Sequence, residues 1–217
     1  IGGAIQIYNS EFKEHTRRRR NLERDLRSAL RRDEFFLVFQ PILSLRDNRI
    51  SGNEALLRWK HPALGVSTPT ELINIIEETG LVHEIGDWVI HEACKTAASW
   101  PKDTRVAVNI SPTQLRKAGL LSCVVNALTE SRLPPGCLEL EITETALVDD
   151  SESVLSNLKA LRELGVRIAL DDFGTGYSSL TYLRKLSPSC VKIDGSFVRD
   201  MLTNSGCASI IKSVIGL

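Results

Sequence analysis

This sequence has no paired cysteines, no excess of either charge and no long apolar run. Its five cysteines (Cys94, Cys123, Cys137, Cys190, Cys207) are scattered, odd in number and without a CxxC pair. That argues against a disulfide framework and a zinc site, and makes a reducing compartment the default. Lys+Arg and Asp+Glu both number 27, so no global field directs the chain to DNA, an RNA polymer or a membrane. No stretch approaches the roughly 20 apolar residues of a membrane span, and the N-terminus has no signal-peptide pattern. The visible chain is therefore expected in the cytoplasm, with any membrane anchor confined to parts not seen. Also missing is a Ser or Cys nucleophile with a His partner.

What is present is the balance of a soluble globular protein, 217 residues with 42% hydrophobic and 25% charged. The charge is uneven. Residues 1–33 hold nine basic and five acidic residues, which leaves the remainder with an acidic surplus of four. Leu22, Leu26, Ala29 and Leu30 recur at helical spacing within 11–32, among Arg17 to Arg20, Arg24, Arg27, Arg31 and Arg32. Without aromatic interleaving or a second basic patch, this segment reads as a solvated linker helix rather than a polyanion-binding one.

From Glu34 the pattern changes to strands, 35–41 and 50–59, whose short connection implies antiparallel pairing. Helices are expected over 70–79 and 83–100. Strand and helix then alternate: strand 105–111, helix 113–131, strand 137–143, helix 151–164, strand 166–171, helix 178–186, strand 190–194, helix 205–217. Repeated units of this kind imply a parallel sheet, open or closed into a barrel.

Alternation along the strands gives each one polar face: Glu54, Leu56 and Arg58; Ala107, Asn109 and Ser111; Glu139, Glu141 and Thr143; Arg167, Ala169 and Asp171; Lys192 and Asp194. A doubly wound sheet covered on both faces would not carry these, whereas a barrel with a polar lumen would. Glu54, Asn109, Glu141, Asp171 and Lys192 fall one per strand near its C-terminal end, where barrel enzymes place their chemistry.

With Asp172, the four oxygen donors among them make a hard anionic cage suited to Mg²⁺ or Mn²⁺. The competing reading is a buried ionic network with Arg58, Arg167 and Lys192. The loop from Asp171 to Leu180, Asp-Asp-Phe-Gly-Thr-Gly-Tyr-Ser-Ser-Leu, follows a strand directly. Its two carboxylates are expected to converge because the chain turns there. None of the four histidines (His15, His61, His83, His91) falls on the ring.

These residues resemble the motifs of a known family. Glu54-Ala55-Leu56 within Gly52–Trp59, Asn109-Ile110-Ser111-Pro112, Glu141-Ile142-Thr143-Glu144, the Asp171–Leu180 loop and Lys192-Ile193-Asp194 follow in register the motifs of the EAL domain cyclic di-GMP phosphodiesterases. The resemblance implies a modified TIM (β/α)8 barrel with an antiparallel first strand. It also implies hydrolysis of cyclic di-GMP to linear pGpG. Glu54, Asn109, Glu141 and Asp171 would hold one Mg²⁺ or Mn²⁺, with Asp171 bridging to a second ion on Asp172 and Lys192 orienting water or neutralising charge.

Gln40 and Arg58 match substrate-contacting positions, while Glu144 and Thr175 belong to the anchoring of the loop. The resemblance also implies a homodimer. Residues 1–33 are similar to the end of a GGDEF domain and its linker helix, placing an EAL domain at 34–217. Only about six barrel strands are present, so the expected barrel is incomplete, C-terminally truncated as it stands, and its Asp171–Leu180 loop is expected to disorder early. A cyclic di-GMP sensor that binds without hydrolysis, an interaction scaffold and enolase-type chemistry are the competing functions.

Overall fold

The computed structural model describes residues 21–63, 65–66, 69–147, 152–174 and 186–216. The expectations for Arg17 to Arg20, for Thr175 and the 175–180 loop, and for the helix over 178–186 short of Leu186 lie outside the described residues. Two compact units divide the chain: residues up to Phe36 with Leu57–Ile85, and Leu37–Leu56 with Gly86–Leu217.

In the first unit, helix α1 (residues 21–29) buries Leu22, Leu26 and Ala29 and leaves Arg24 and Arg27 exposed. This is the amphipathic face read from the spacing. A four-residue turn separates β1 (Phe35–Ser44) from β2 (Arg49–His61). The first-unit end of β2 is tied down at Trp59, whose indole N–H donates to Glu34 Oε2 at 3.0 Å. The Trp59 ring lies against Phe35 and His61, with centroids 5.9 and 4.9 Å away. His61 Nε2 is 3.3 Å from Asp25 Oδ2, and its Nδ1 accepts from Ala63 N–H at 3.2 Å. The unit also holds β3 (Gly65–Val66), paired antiparallel to the end of β2, and α2 (Pro69–Thr79).

The second unit contains most of the α/β sheet. Its described elements are most of α3 (Val82–Ala97), β4 (Arg105–Ile110), α4 (Pro112–Arg116), α5 (Leu120–Ser131), β5 (Leu138–Thr143), α6 (Glu152–Glu163), β6 (Arg167–Phe173), β7 (Cys190–Ile193), α7 (Gly195–Asp200) and α8 (Ser205–Ile215). The sheet order is β1-β2-β4-β5-β6-β7. Each pairing from β2 to β7 along this path is parallel. A four-residue connection joins neighbouring strands only in antiparallel sense, so β1 is the antiparallel first strand. The described strands form an open sheet of the TIM-barrel type that does not close on itself. Its core comprises Val106, Val108, Ile110, Leu138, Leu140, Ile142, Ile168 and Leu170, each at most 4% exposed.

Two helices differ from the expectation. The segment expected as one helix over 113–131 is broken between α4 and α5, where Gly119 takes φ +130, a conformation open to glycine alone. Ser111 starts α4 with a reciprocal capping box to Gln114 and Pro112 in the first turn. A helix unforeseen in the sequence, α7, is capped by Asp194, which accepts from Ser196 N–H at 2.9 Å. Among the described residues no helix is long and apolar enough to cross a membrane. All five cysteines are free thiols, and burial pushes Cys94 and Cys123 up to about 12, far from thiolate reactivity.

Candidate functional site

Strand register explains how residues far apart in sequence come together. Glu54 lies opposite Ala107, and Asn109 two residues further along β4 lies opposite Glu141. Glu141 in turn lies opposite Ala169, and Asp171 is two residues further along β6. Steps of zero or two residues keep all four side chains on one face. They also climb toward the strand ends, as the tilt of barrel strands requires.

The backbone at the two aspartates differs from the turn read in the sequence. β6 does not end at Asp171; it continues to Phe173. Its pairing with β7 shifts from Leu170↔Val191 to Phe173↔Ile193, three steps against two. That is a β-bulge, and Asp172 sits in it with a left-handed φ of 54°. The extra residue breaks the strict alternation that would aim neighbours at opposite faces. Asp is among the few side chains that tolerate this conformation.

Lys192, from β7, stands where the carboxylates meet. Its Nζ donates to Glu141 Oε2 at 2.6 Å, Asp171 Oδ2 at 2.9 Å and Glu54 Oε2 at 3.4 Å. Asn109 Nδ2 donates to Glu54 Oε1 at 2.8 Å. Among the described residues no group of three His, Cys, Asp or Glu side chains is arranged to hold a metal ion. The ammonium is the cation at this point of convergence, as the ionic-network reading expected of Lys192. Arg167 is used elsewhere, donating to Glu139 at 3.0 Å toward the opposite end of the strands.

Three carboxylates around one ammonium carry a formal charge of −2, and the deepest of them responds. Glu141 is 1% exposed, and its pKa is pushed up to about 7 by burial, with Glu54 and Asp171 adding to the rise and Lys192 opposing it. Its Oε1 is buried without a hydrogen-bond partner among the described residues. Burial works against the charge on Lys192, but its bonds to Glu141 and Asp171 outweigh this and raise its pKa. Asp172 is also raised, by desolvation and then by the charges of Asp171 and Asp194.

Gln40 is exposed on β1. Arg58 is half-buried on β2, its Nη1 donating to the Leu57 carbonyl at 2.8 Å. Glu144 is 7% exposed and opens a 3-10 turn directly after β5. Thr175 lies outside the described residues. Gly174 was read as part of the Asp171–Leu180 loop, but its close approach to Phe197 is shown only by the fold. Asp194 had been seen as a polar strand residue, but its capping role had not. The Asp194-Gly195-Ser196 helix-start pattern was available to find it.

A mostly parallel α/β sheet of barrel type, with acidic residues and a lysine gathered toward the ends of its strands, defines the class. An EAL domain profile matches residues 23–217, and the chain belongs to the EAL domain family. An uncharacterised signalling protein of Caulobacter vibrioides is 44% identical over 99% of this chain and 27% of its own length. The bifunctional diguanylate cyclase/cyclic di-GMP phosphodiesterase MucR of Pseudomonas aeruginosa is 39% identical, covering 97% of this chain and 31% of that protein. The solved PaMucR phosphodiesterase in complex with c-di-GMP superposes with a TM-score of 0.86 at 41% identity, over 90% of this chain and 81% of that one. The chain thus spans about a quarter to a third of the length of these curated relatives.

Proposed function

We propose that this chain is the phosphodiesterase domain of a longer signalling protein and hydrolyses cyclic di-GMP to pGpG with Mg²⁺ or Mn²⁺. The observation that carries the reading is the convergence of Glu54, Glu141 and Asp171 on the single cation of Lys192. A cage that already draws in an ammonium suits a harder and more highly charged ion. The orphaned Glu141 Oε1 offers a buried acceptor for it. Glu54, Asn109, Glu141 and Asp171 would hold one ion and Asp172 a second, Asp171 bridging the two.

Such ions, when bound, lower the pKa of a shared water and stabilise charge on phosphate oxygens. Lys192 would then turn its ammonium to the reacting phosphate or the water, while Gln40 and the forked donors of Arg58 hold the nucleotide. Glu144 would brace the loop that contains Thr175. An upstream GGDEF or sensory domain joined through residues 1–33, a cytoplasmic location and a homodimer complete the reading.

Turnover of cyclic di-GMP by the full-length protein, followed by chromatography with each metal, is the test. Metal-dependent pGpG that is lost in Glu54→Ala supports the assignment, and no pGpG with either ion overturns it. A second reading, a sensor that binds cyclic di-GMP without cleaving it, is favoured by Lys192 already compensating the carboxylates. Metal-independent binding without turnover would establish that alternative.

A further inference from the structure

The bulge that presents Asp172 is followed at once by Gly174, whose φ is +100°. A β-carbon built on Gly174 would lie 2.9 Å from Cε2 and 3.3 Å from Cζ of Phe197, closer than side-chain contacts allow. The Phe197 ring therefore rests on the bare α-carbon of the residue at which the chain leaves the sheet. Phe197 is itself held. It lies on α7 just after the Asp194 cap, its N–H reaching the Asp194 carbonyl at 3.2 Å, and Ser196 N–H is bound by the Asp194 carboxylate at 2.9 Å. The same β7–α7 corner begins two residues after Lys192. One corner thus fixes the ammonium and touches the exit of the bulge.

We propose that Phe197 is a positioning residue for Asp172. By closing over Gly174 it fixes the end of the β6 bulge, and with it the direction of the second carboxylate of the pair. A bulge has one unpaired residue and is free to slide unless its flanks are pinned. Phe173↔Ile193 pairing pins the backbone, and the Phe197 ring removes the remaining freedom at Gly174. A ring edge against a glycine is a packing contact that a smaller side chain cannot replace without leaving a gap.

This inference rests on the metal-dependent reading above, and its test reads metal binding rather than turnover. Mn²⁺ binding is measured on the full chain by the electron paramagnetic resonance signal of the free ion. The comparison takes in the unsubstituted protein, Phe197→Ala, Asp172→Asn and the double variant. Phe197→Ala should weaken binding by about tenfold, the loss typical when a residue orienting a ligand is removed. In the Asp172→Asn background the same change should cost less than about twofold, because its target is already gone. Phe197→Leu should recover part of the affinity.

An equal loss in both backgrounds, or no loss in either, overturns the role of Phe197 alone. Absence of Mn²⁺ binding by the unsubstituted protein overturns the metal reading together with it. Should the alanine variant fail to fold, Phe197→Leu replaces it in the same cycle, with a smaller loss expected and the same outcomes deciding.

Discussion

The backbone N–H of Asp172 donates to Oδ1 of Asp171 across 2.9 Å, so the second aspartate orients the first through its main chain. The other oxygen of Asp171, Oδ2, is thereby left to Lys192 at 2.9 Å. Substitution at position 172 should consequently separate two effects that usually travel together, loss of a carboxylate and loss of backbone geometry.

Asp172→Gly removes the carboxylate but keeps a residue at ease with φ 54°. A left-handed residue other than glycine costs roughly 1–2 kcal/mol, and glycine costs about 0.5–1 kcal/mol in chain entropy. The two nearly cancel, so thermal unfolding should stay within about 1 kcal/mol of the unsubstituted protein while cyclic di-GMP hydrolysis is lost. Asp172→Val has neither advantage and should be visibly less stable.

Lys192→Met leaves Glu54, Glu141 and Asp171 without their shared ammonium. Removing one partner of a buried ion pair costs roughly 3–5 kcal/mol, and less here because Lys192 is partly exposed. The metal-free variant should melt several degrees lower, and Mn²⁺ should raise its melting temperature more than it raises that of the unsubstituted protein. Turnover should fall. Equal Mn²⁺ shifts in the two proteins would show that ammonium and metal do not compete.

Glu141 sets a pH dependence. Its folded pKa of about 7 lies above the ordinary 4.5, so the folded state binds the proton more tightly than the unfolded one. Its stabilising effect is complete below about pH 4.5 and is lost as pH rises through about 7. A metal ion held by Glu141 would have to displace that proton, so Mn²⁺ affinity should rise with pH up to about 7 and then level off. Calorimetry in two buffers of different ionisation enthalpy would count the protons released, and Glu141→Gln should release fewer.

Gly86, on α3, lies beneath the side chain of Gln114. A β-carbon there would collide with Nε2 of that amide and fall 2.6 Å from its Cδ. Gln114 is buried and forms the capping box with Ser111, two residues after Asn109. Gly86→Ala would gain about 1 kcal/mol of helix propensity, yet overpacking should cost about 1–3 kcal/mol. Destabilisation in urea, relieved when Gln114→Ala is added, is the expected result.

Much of the sheet was legible because its residues obey local rules. Period-two alternation exposed Glu54, Asn109, Glu141 and Asp171 as one face, and parallel register then placed them together. Leu22, Leu26 and Ala29 were buried as their helical spacing required. The bulge at Asp172 was not legible, since an irregular pairing depends on the partner strand, β7, as much as on β6. Nor was the seating of Phe197 on Gly174, a contact across 23 residues that no periodicity encodes. The break at Gly119 was signalled by the glycine itself but was hidden by apolar residues on both sides.

The three-against-two pairing of β6 with β7 makes the site a matter of counting as well as of chemistry. Inserting one residue between Val191 and Ile193 of β7 would restore a regular ladder while keeping both aspartates, and a regular ladder turns successive side chains to opposite faces. Two adjacent aspartates could then not share one. A length polymorphism of one residue in this short stretch would therefore disable the site as surely as replacing an acid, even in a chain that keeps every residue named here.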